Sequence, residues 1–549
     1  MPFLAERTFP IPNKDILSWI FDEQKFDVDK PIYVDAANPS RSISSRQARK
    51  LIRQLIAGFR ANGAKPGDCI CIHSFNDIYY PILFLAIVGA GCVFAGTNPS
   101  YTQYELDHHF KTACVGFVIT EPEMISTVSA GAKATGIPKS NIWSFNTTPN
   151  QAPLPGFKSW TTLLEYGEED WVRFDDEKTS RATTAARLFS SGTTGLPKAA
   201  ALSHYNFVAQ HTLAHEVEPA PYKIIRICYL PMFHAAMVPL THVSPLHAEY
   251  VTYVMRRFDL VPLLDNIDRY KITELLFVPA IVLAVIKYPG VGKYSFKSLE
   301  SVASGAAPLS KEHQLDLQAI VGPQIGVTQG WGMTETCCIA SRFLPSERDE
   351  TGSIGRMLPN LDVKLIDDED KDITAYDTTG ELCIRGPTII TDYFNNPEAT
   401  ATSFTPDGYF KTGDVMYCTS DTKKWYIIDR RKELIKVRGF QVAPGELEGV
   451  LLLHPQILEA AVIGIRNAGD SDNLEHPRAY VVRRPGPEGE ALDEATIKAF
   501  CSARLAKFKE LTGGVRFLDV MPRNATGKLL KRVLRELAKE EDRGKAARI

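Results

Sequence analysis

The stretch LFSSGTTGLPKAAALSHYN, residues 188–206, places a loop rich in glycine, serine and threonine between two regular elements. The preceding AARLFSS predicts a strand, and the following SHYNFVAQHTL predicts a helix with Ser203 as its N-cap. Such a loop between a strand and a helix suits the binding of a phosphate group. We therefore expect an α/β protein that binds a phosphate-containing ligand.

The chemical groups of this loop support the phosphate interpretation. Gly192 and Gly195 allow the backbone to approach a ligand and to turn its amides inward. Hydroxyl donors and one positive charge complete the set: Ser190, Ser191, Thr193, Thr194 and Lys198. An ordinary surface turn needs no such run of hydroxyls and a lysine. The loop is not a Walker A loop, because that pattern requires glycine at Pro197 and serine or threonine at Ala199.

Apolar runs of strand length alternate with helical patterns from about residue 45 to 340, which predicts parallel α/β sheets. The apolar run of residues 79–96 contains Pro81 and several glycines, so a buried helix followed by a buried strand is favoured over a membrane span. The other predicted strands lie in DCICIHSF (68–75), CVGFVIT (114–120), IRICYL (225–230), YVTYVM (250–255), ELLFVP (274–279) and SVASG (301–305).

Composition narrows the class of protein. The chain has 549 residues, which predicts roughly two to four domains. Its net charge of −3, from 62 basic and 65 acidic residues without long blocks of one sign, disfavours a nucleic-acid partner. The ten cysteines form no Cys-x-x-Cys pair, so we expect reduced thiols in an intracellular protein.

The pattern changes after about residue 350, where short alternating strands and turns predict a β-rich part. The charge-dense DRRKELIKVRG (429–439) then leads into a final segment of helices and strands. We predict a large domain over residues 1–429, with the β-rich part at about 350–429, and a C-terminal domain over residues 430–549. The closing KLLKRVLRELAKEED predicts a helix whose apolar face consists of Leu529, Leu530, Val533, Leu534 and Leu537.

Nine motifs in a fixed order resemble those of the adenylate-forming enzymes, which include acyl- and aryl-CoA ligases, luciferases and peptide-synthetase adenylation domains. The closest form is that of the 4-coumarate–CoA ligase-like enzymes. The resemblance implies two parallel-type α/β subdomains and a β-rich subdomain, followed by a small, mobile α+β C-terminal domain. The motifs are SSGTTGLPK (190–198), PMFHAA (231–236), SGAAPLS (304–310), QGWGMTET (329–336), GSIGRMLPN (352–360), GELCIRGP (380–387), GYFKTGDV (408–415), DRRKELIKVRGFQVAPGELE (429–448) and PRNATGK (522–528).

The resemblance implies an AMP-forming acid–thiol ligase that uses ATP, Mg²⁺ and CoA. A carboxylic acid would attack the α-phosphate with release of pyrophosphate, and the acyl group would then pass to a thiol. Because both steps carry concentrated negative charge, donors and cations should converge on the phosphates. Glu335 matches the magnesium ligand. The nucleotide would contact the 190–198 loop, Ala306, Gln329, Gly330, Trp331, Thr334, Asp414 on the ribose, and Arg430.

The C-terminal motifs imply a domain that moves between the two steps. Lys528 matches the cation that assists adenylation, and Lys432 matches the hinge. Lys436 and Gln441 match positions that face the active site, one in each conformation. The resemblance places three further residues along the thiol entry and the phosphates of CoA: Arg257, Arg438 and Gly439.

The acid should contact a mostly apolar wall. His234 resembles a gating and acyl-orienting residue, although a role as a catalytic base stays open. Ala236 stands where related plant enzymes carry a larger residue, so we expect a wider pocket that takes an aryl or medium-length aliphatic acid. The predicted pocket residues are His234, Ala235, Ala236, Gly305, Gly330, Gly332, Cys338 and Ile339.

Several alternatives stay open at this stage. The thiol could belong to a carrier protein instead of CoA, luciferase-like oxidation shares the first half-reaction, and a non-catalytic binder could keep the fold. We expect no membrane span, and either a monomer or a weak dimer. The tripeptide Ala547-Arg548-Ile549 follows the small, basic, apolar order of a peroxisome address, so the prediction is a cytoplasmic or peroxisomal protein.

Overall fold

The computed structural model describes residues 3–148, 150–190, 197–345, 347–437, 440–466, 474–524 and 527–546, with side chains to residue 541. The C-terminal tripeptide therefore lies outside the described residues. The chain groups into a larger unit, residues 3–363 and 384–410, and a smaller unit, residues 364–383 and 411 onward. Parts of the predicted β-rich segment thus belong to each unit. The boundary at residue 429 and the hinge at Lys432 stay predictions.

The first sheet of the larger unit has seven strands and contains the strand that precedes the opening loop. Neighbouring strands of this sheet pair in parallel, except for the antiparallel pair formed by Thr184–Ser190 and Lys198–Ser203. In spatial order the strands are Lys158–Ser159, Ile142–Ser144, Val115–Thr120, Cys69–His73, Val93–Thr97, Thr184–Ser190 and Lys198–Ser203. The α-helices along this part of the chain are Ser45–Ala61, Tyr80–Gly89, Gln103–Thr112, Ile125–Thr135 and Glu177–Ala182.

A second sheet of seven strands belongs to the same unit and is also mainly parallel. Its one antiparallel pair lies at an edge. In spatial order the strands are Gly326–Gln329, Ser301–Ser304, Glu274–Phe277, Ile225–Cys228, Val251–Val254, Pro31–Asp35 and Ser42–Ser44. The accompanying helices are Ile16–Phe21, His204–His211, Ser244–Ala248, Leu260–Arg269, Pro279–Lys287 and Lys311–Val321, with π-helical turns at Thr212–Glu216 and Pro239–Val243.

The structure confirms the predicted α/β fold and all the strands predicted before residue 340. It also confirms a helix followed by a strand within residues 79–96. No helix in the described ranges has both the length and the apolar character to cross a membrane. A three-stranded sheet and one helix complete the larger unit: Trp331–Met333, Cys338–Arg342, Arg356–Met357 and Pro397–Ser403.

The β-rich segment forms a five-stranded sheet. In spatial order its strands are Asp372–Ile373, Asp362–Ile366, Gly380–Arg385, Phe410–Cys418 and Trp425–Arg430. The smaller unit continues with the hairpin Ile435–Val437 and Phe440–Val442, and with the three-stranded sheet Ile457–Ile465, His476–Arg483 and Gly514–Phe517. Its helices are Pro444–Leu452, Pro487–Glu490, Glu494–Ser502 and Lys531–Ala546.

The closing helix differs in part from its prediction. It begins at Lys531, so Leu529 and Leu530 precede it. Leu534 is buried, and Leu529 and Leu537 pack against the same core cluster of the smaller unit, which confirms the apolar packing for these three residues.

Candidate active site

The opening loop has its two ends fixed by sheet pairing. Ser190 and Lys198 are cross-strand partners in the antiparallel pair that closes the first sheet. Ser203 caps the following helix: its Oγ accepts from the Asn206 N–H at 3.2 Å, and Asn206 Oδ1 accepts from the Ser203 N–H at 2.9 Å. The predicted cap is confirmed. The loop residues Ser191, Gly192, Thr193 and Thr194 lie outside the described residues.

The strand Lys198–Ser203 also brings a tyrosine to the site. The Phe394 N–H donates to the Ala199 carbonyl at 2.8 Å, which aligns the segment around Tyr393 with this strand. The Nζ of Lys198 lies 5.0 Å from the centre of the Tyr393 ring. The hydroxyl of Tyr393 donates to Glu335 Oε1 at 2.6 Å. Sequence reasoning missed Tyr393, because nothing in its local sequence separates it from a core tyrosine.

Glu335 is the most buried of the acidic side chains in the predicted site, with 2% of its surface exposed. Its Oε2 accepts no hydrogen bond from any residue that the structure describes. Burial, together with the negative charge of Glu335, raises the pKa of Tyr393, so its hydroxyl stays a donor. A buried carboxylate oxygen without a donor is costly unless a cation or another ligand meets it. Glu335 therefore fits a magnesium ion, which prefers a few carboxylate oxygens.

The predicted adenine slot is held together by Gln329. Its Oε1 accepts from the Leu309 N–H at 3.0 Å, and its Nε2 donates to the Leu309 carbonyl at 3.0 Å and to Gln314 Oε1 at 2.9 Å. These bonds hold the loop in which Ala306 adopts a φ of 69°. The Gly330 N–H donates to the Ser304 carbonyl at 2.9 Å. The side chain of Gln329 thus positions the loop, and contact with a nucleotide stays a prediction.

Two predicted pocket positions that are far apart in sequence meet in the fold. The thiol of Cys338 donates to the Ala236 carbonyl, with 3.1 Å between sulfur and oxygen. Burial raises the pKa of Cys338 to about 12, so the thiol is neutral and the wall carries no charge there. Ala235 is buried beside Ala236. The structure therefore places Cys338, two residues after the 329–336 motif, beside the 231–236 motif.

His234 has one ring nitrogen engaged by the backbone. Its Nδ1 lies 3.2 Å from the Ala236 nitrogen and accepts that N–H. A neutral His234 ring therefore carries its proton on Nε2. This arrangement suits a residue that orients an acyl oxygen better than it suits a base.

The glycines of the predicted pocket differ in what surrounds them. A Cβ on Gly332 would lie 1.7 Å from the Cys338 carbonyl oxygen, so the backbone already fills that space. A Cβ on Gly330 would lie 3.2 Å from the Ser341 carbonyl oxygen and 3.3 Å from Ile339 Cδ1. A Cβ on Gly305 would have one described neighbour within 4 Å, the Gly330 carbonyl oxygen at 3.5 Å. The expectation that Gly332 leaves room for an acyl group is therefore replaced: this glycine permits two strands to approach closely.

Arg257 and its neighbour have different surroundings. Arg256 pairs with the buried Glu121, whereas Arg257 is exposed and forms no ion pair with another residue in the described ranges. An exposed arginine suits the predicted contact with the phosphates of CoA. That contact stays a prediction.

Asp414 and Arg430 are cross-strand partners in the five-stranded sheet. Arg430 Nε lies 3.3 Å from Asp414 Oδ1, and Asp414 is buried. The turn before Asp414 is held by Glu381, which accepts from the Gly413 N–H at 3.1 Å and pairs with Arg431 at 2.6 Å. Sequence reasoning had not singled out Glu381 or Arg431, which position the turn through long-range contacts.

The hairpin after the predicted hinge places Lys436 directly opposite Gln441. Cross-strand partners project to the same face of a sheet, and both side chains are exposed. Both residues therefore lie on one face of the hairpin, and their predicted contact with the active site, one in each conformation, stays a prediction. Gln441 Nε2 donates to Asp368 Oδ2 at 3.1 Å. Arg438 and Gly439 lie outside the described residues, and Lys432 is exposed in the preceding turn.

The backbone of Lys528 is held on both sides by Asn524. Asn524 Oδ1 accepts from the Lys528 N–H at 2.9 Å, and the Asn524 N–H donates to the Lys528 carbonyl at 2.9 Å. Arg523 donates to the Gly527 carbonyl at 2.6 Å. Within the PRNATGK motif, Arg523 and Asn524 thus hold the backbone of Gly527 and Lys528.

Comparisons with known proteins show which family model, relatives and solved structures the chain matches. Residues 22–394 match the family model of the AMP-binding enzyme, and residues 446–528 match that of its C-terminal domain. A phenylacetyl-CoA ligase of Aspergillus niger is 50% identical over 98% of this chain and 100% of its own length. An acyl-CoA ligase of the same species is 50% identical over 97% of this chain and 100% of its own length. The solved structure of ATP-bound MatB from Rhodopseudomonas palustris is 26% identical, with a TM-score of 0.83 over 96% of this chain and 99% of that one.

Proposed function

We propose residue roles and an acid class for this chain from the premise that it belongs to the AMP-binding enzyme family. The protein is an ATP-dependent, AMP-forming acyl-CoA ligase. In the first step a carboxylate oxygen bonds to the α-phosphorus of ATP, and the bond to pyrophosphate breaks. In the second step the sulfur of CoA bonds to the acyl carbon, AMP leaves, and the thiol proton is released.

The observation that supports the residue assignment best is the buried Glu335 oxygen that lacks a donor among the described residues. Tyr393 holds Oε1, which leaves Oε2 to hold Mg²⁺. When bound there, Mg²⁺ would neutralise negative charge on the phosphates. Lys198 adds a positive charge close to Tyr393, at the base of the phosphate loop.

The remaining roles follow from charge and hydrogen-bonding capacity. Asp414 accepts the two ribose hydroxyls, and Arg430, whose Nε lies 3.3 Å from Asp414 Oδ1, orients this carboxylate. Lys528 stabilises the charge that develops between the carboxylate and the α-phosphate. His234, whose ring is oriented by the Ala236 N–H, orients the acyl oxygen. Lys436 and Gln441, which share one face of their hairpin, face the active site, one in each conformation of the C-terminal domain.

We propose an aryl or medium-length aliphatic acid as the substrate. The small Ala236 and the neutral Cys338 form an uncharged wall, which favours an apolar acyl group. The similarity to a phenylacetyl-CoA ligase supports an arylalkyl acid such as phenylacetate as the first choice. The exposed Arg257 favours soluble CoA over a carrier arm, which lacks the nucleotide phosphates.

The test measures pyrophosphate release and thioester formation with ATP and a panel of acids, namely phenylacetate, benzoate, cinnamate, hexanoate and acetate, with and without CoA. We expect both products, with phenylacetate or cinnamate ahead of acetate. Pyrophosphate without a CoA thioester would instead favour a carrier-protein thiol. A preference for acetate would contradict the acid class. A fluorescent fusion with and without residues 547–549 decides between cytoplasm and peroxisome.

A further inference from the structure

Three side chains with no assigned role in the ligase reaction converge in the larger unit. His211 ends the helix His204–His211, Glu216 ends the π-helical turn that follows, and His247 lies in the helix Ser244–Ala248. Glu216 Oε1 lies 2.7 Å from His247 Nε2 and 3.9 Å from His211 Nε2. One ligand atom from each of the three residues lies within 4.8 Å of the other two.

The hydrogen bonds of His247 leave a lone pair that points at a carboxylate. Its Nδ1 lies 3.2 Å from the Trp19 carbonyl oxygen. Because a carbonyl only accepts, Nδ1 carries a proton, and the Nε2 of a neutral ring is an acceptor. Two acceptors 2.7 Å apart, Nε2 and Glu216 Oε1, repel each other unless a proton or a metal cation lies between them.

His211 presents a second nitrogen to the same place. Its side chain is completely buried, and its Nε2 has no hydrogen-bond partner among the residues that the structure describes. Its Nδ1 lies 2.7 Å from Ser244 Oγ. When Nδ1 donates to that hydroxyl, the Nε2 lone pair faces Glu216 and is available to a cation.

We propose that His211, Glu216 and His247 form a binding site for a divalent transition metal, with Zn²⁺ as the best fit. Two imidazoles and one carboxylate form a ligand set that zinc uses, with a fourth position left for water. Zinc bonds of about 2.0–2.1 Å in tetrahedral geometry separate the ligand atoms by roughly 3.3 Å. The observed 2.7 and 3.9 Å lie on either side of this value.

The site has supporting groups and a route to solvent. The Trp19 carbonyl and Ser244 Oγ hold the outer nitrogens of the two rings, as partners of metal-bound histidines commonly do. The Trp19 ring stacks on His247 with 3.5 Å between the ring centres. Because 37% of the Glu216 side chain is exposed, an ion and a water molecule can reach the site. A bound ion would link the helix His204–His211 and the π-helical turn after it to the helix Ser244–Ala248, and so stabilise the larger unit.

The experiment measures metal binding by the full chain without ATP. We use a Cys114→Ser background, because Cys114 is the exposed thiol and could bind zinc itself. The metal-stripped protein is titrated with Zn²⁺ by calorimetry and with Co²⁺ by visible absorption. We expect one ion per chain, a tetrahedral Co²⁺ spectrum without thiolate bands, and a higher melting temperature with Zn²⁺.

Two variants test the ligands, and one serves as a control. Glu216→Gln and His247→Gln should each weaken Zn²⁺ binding about tenfold or more, whereas Glu218→Gln should leave it unchanged. Glu218 is a glutamate two residues after Glu216, and it forms its ion pair with Arg7 and not with the cluster. Circular dichroism confirms that each variant folds. Equal binding by the parent and both ligand variants would overturn the site, and a proton shared by His247 and Glu216 would then account for their contact.

Discussion

The charged groups that we assign to the reaction are held differently in the two units. In the larger unit Glu335 is buried and Tyr393 fixes one of its oxygens. In the smaller unit Lys436 projects from an exposed hairpin, and Asn524 holds the backbone of Lys528. A buried, fixed group is preorganised, whereas a cation on a surface turn can be replaced without disturbing a core. Substitutions at the buried Glu335 and its partner Tyr393 should therefore reduce stability and activity together, and those at Lys436 and Lys528 activity alone.

The largest effect should come from Lys528→Ala. We expect adenylation, measured as pyrophosphate release, to fall by about 10²–10³-fold, because a cation is lost where charge develops. The melting temperature should stay the same. Lys498→Ala, a partly exposed lysine paired with Glu494, is the control and should keep the parental rate. A normal rate of adenylation in Lys528→Ala would refute its role.

Glu335 and its partner Tyr393 should show the combined effect expected of a buried pair. Glu335→Gln keeps an oxygen for Tyr393 but loses the charge, and we expect a rate about 10²-fold lower with a weaker response to Mg²⁺. Tyr393→Phe removes the donor from a buried carboxylate and should lower the free energy of unfolding in urea by about 1–3 kcal/mol. An unchanged Mg²⁺ dependence in Glu335→Gln would contradict the assignment of the metal ligand.

Gly332→Ala tests stability without a change of charge. The added methyl group would meet the Cys338 carbonyl at 1.7 Å, and we expect a loss of about 1–3 kcal/mol or more in the free energy of unfolding. Denaturant unfolding gives the value. Parental stability would show that the strands can separate there, and the space beside Gly332 would then again be open to the acyl group.

A smaller effect should follow from Ala236→Tyr. The larger side chain narrows the wall near Cys338, and we expect kcat/KM for phenylacetate to fall about tenfold relative to acetate. The ratio of the two kcat/KM values is the measurement. Ala491→Ser, a conservative change far along the chain in the smaller unit, is the control for general effects. An unchanged ratio would place the acid elsewhere.

The smallest effect should have the opposite sign. Gly449 lies within the helix Pro444–Leu452 of the smaller unit, and an added Cβ would meet nothing within 4 Å. We expect Gly449→Ala to raise the free energy of unfolding by about 0.5–1 kcal/mol, because alanine favours the helix. A loss of stability in this variant would contradict the difference between the crowded Gly332 of the larger unit and the open Gly449 of the smaller unit.

Much of the fold could be predicted from local patterns. The buried strands and the Ser203 cap follow from apolar runs and from a hydroxyl before a helix, which are properties of neighbouring residues. The strand Lys198–Ser203 was missed, since its short apolar run reads as part of the loop and its place depends on pairing with Thr184–Ser190. The side-by-side placement of Lys436 and Gln441 likewise needed the hairpin register.

The sequence by itself determined the α/β class, the order of the motifs and the family, because these depend on residue types at fixed spacing. Only the tertiary structure decided that Tyr393 donates to Glu335, that the Cys338 carbonyl fills the space beside Gly332, and that His211 faces Glu216 and His247. Contacts of this kind depend on which strands and helices become neighbours. Such long-range packing decides which buried polar atoms are left to meet a ligand.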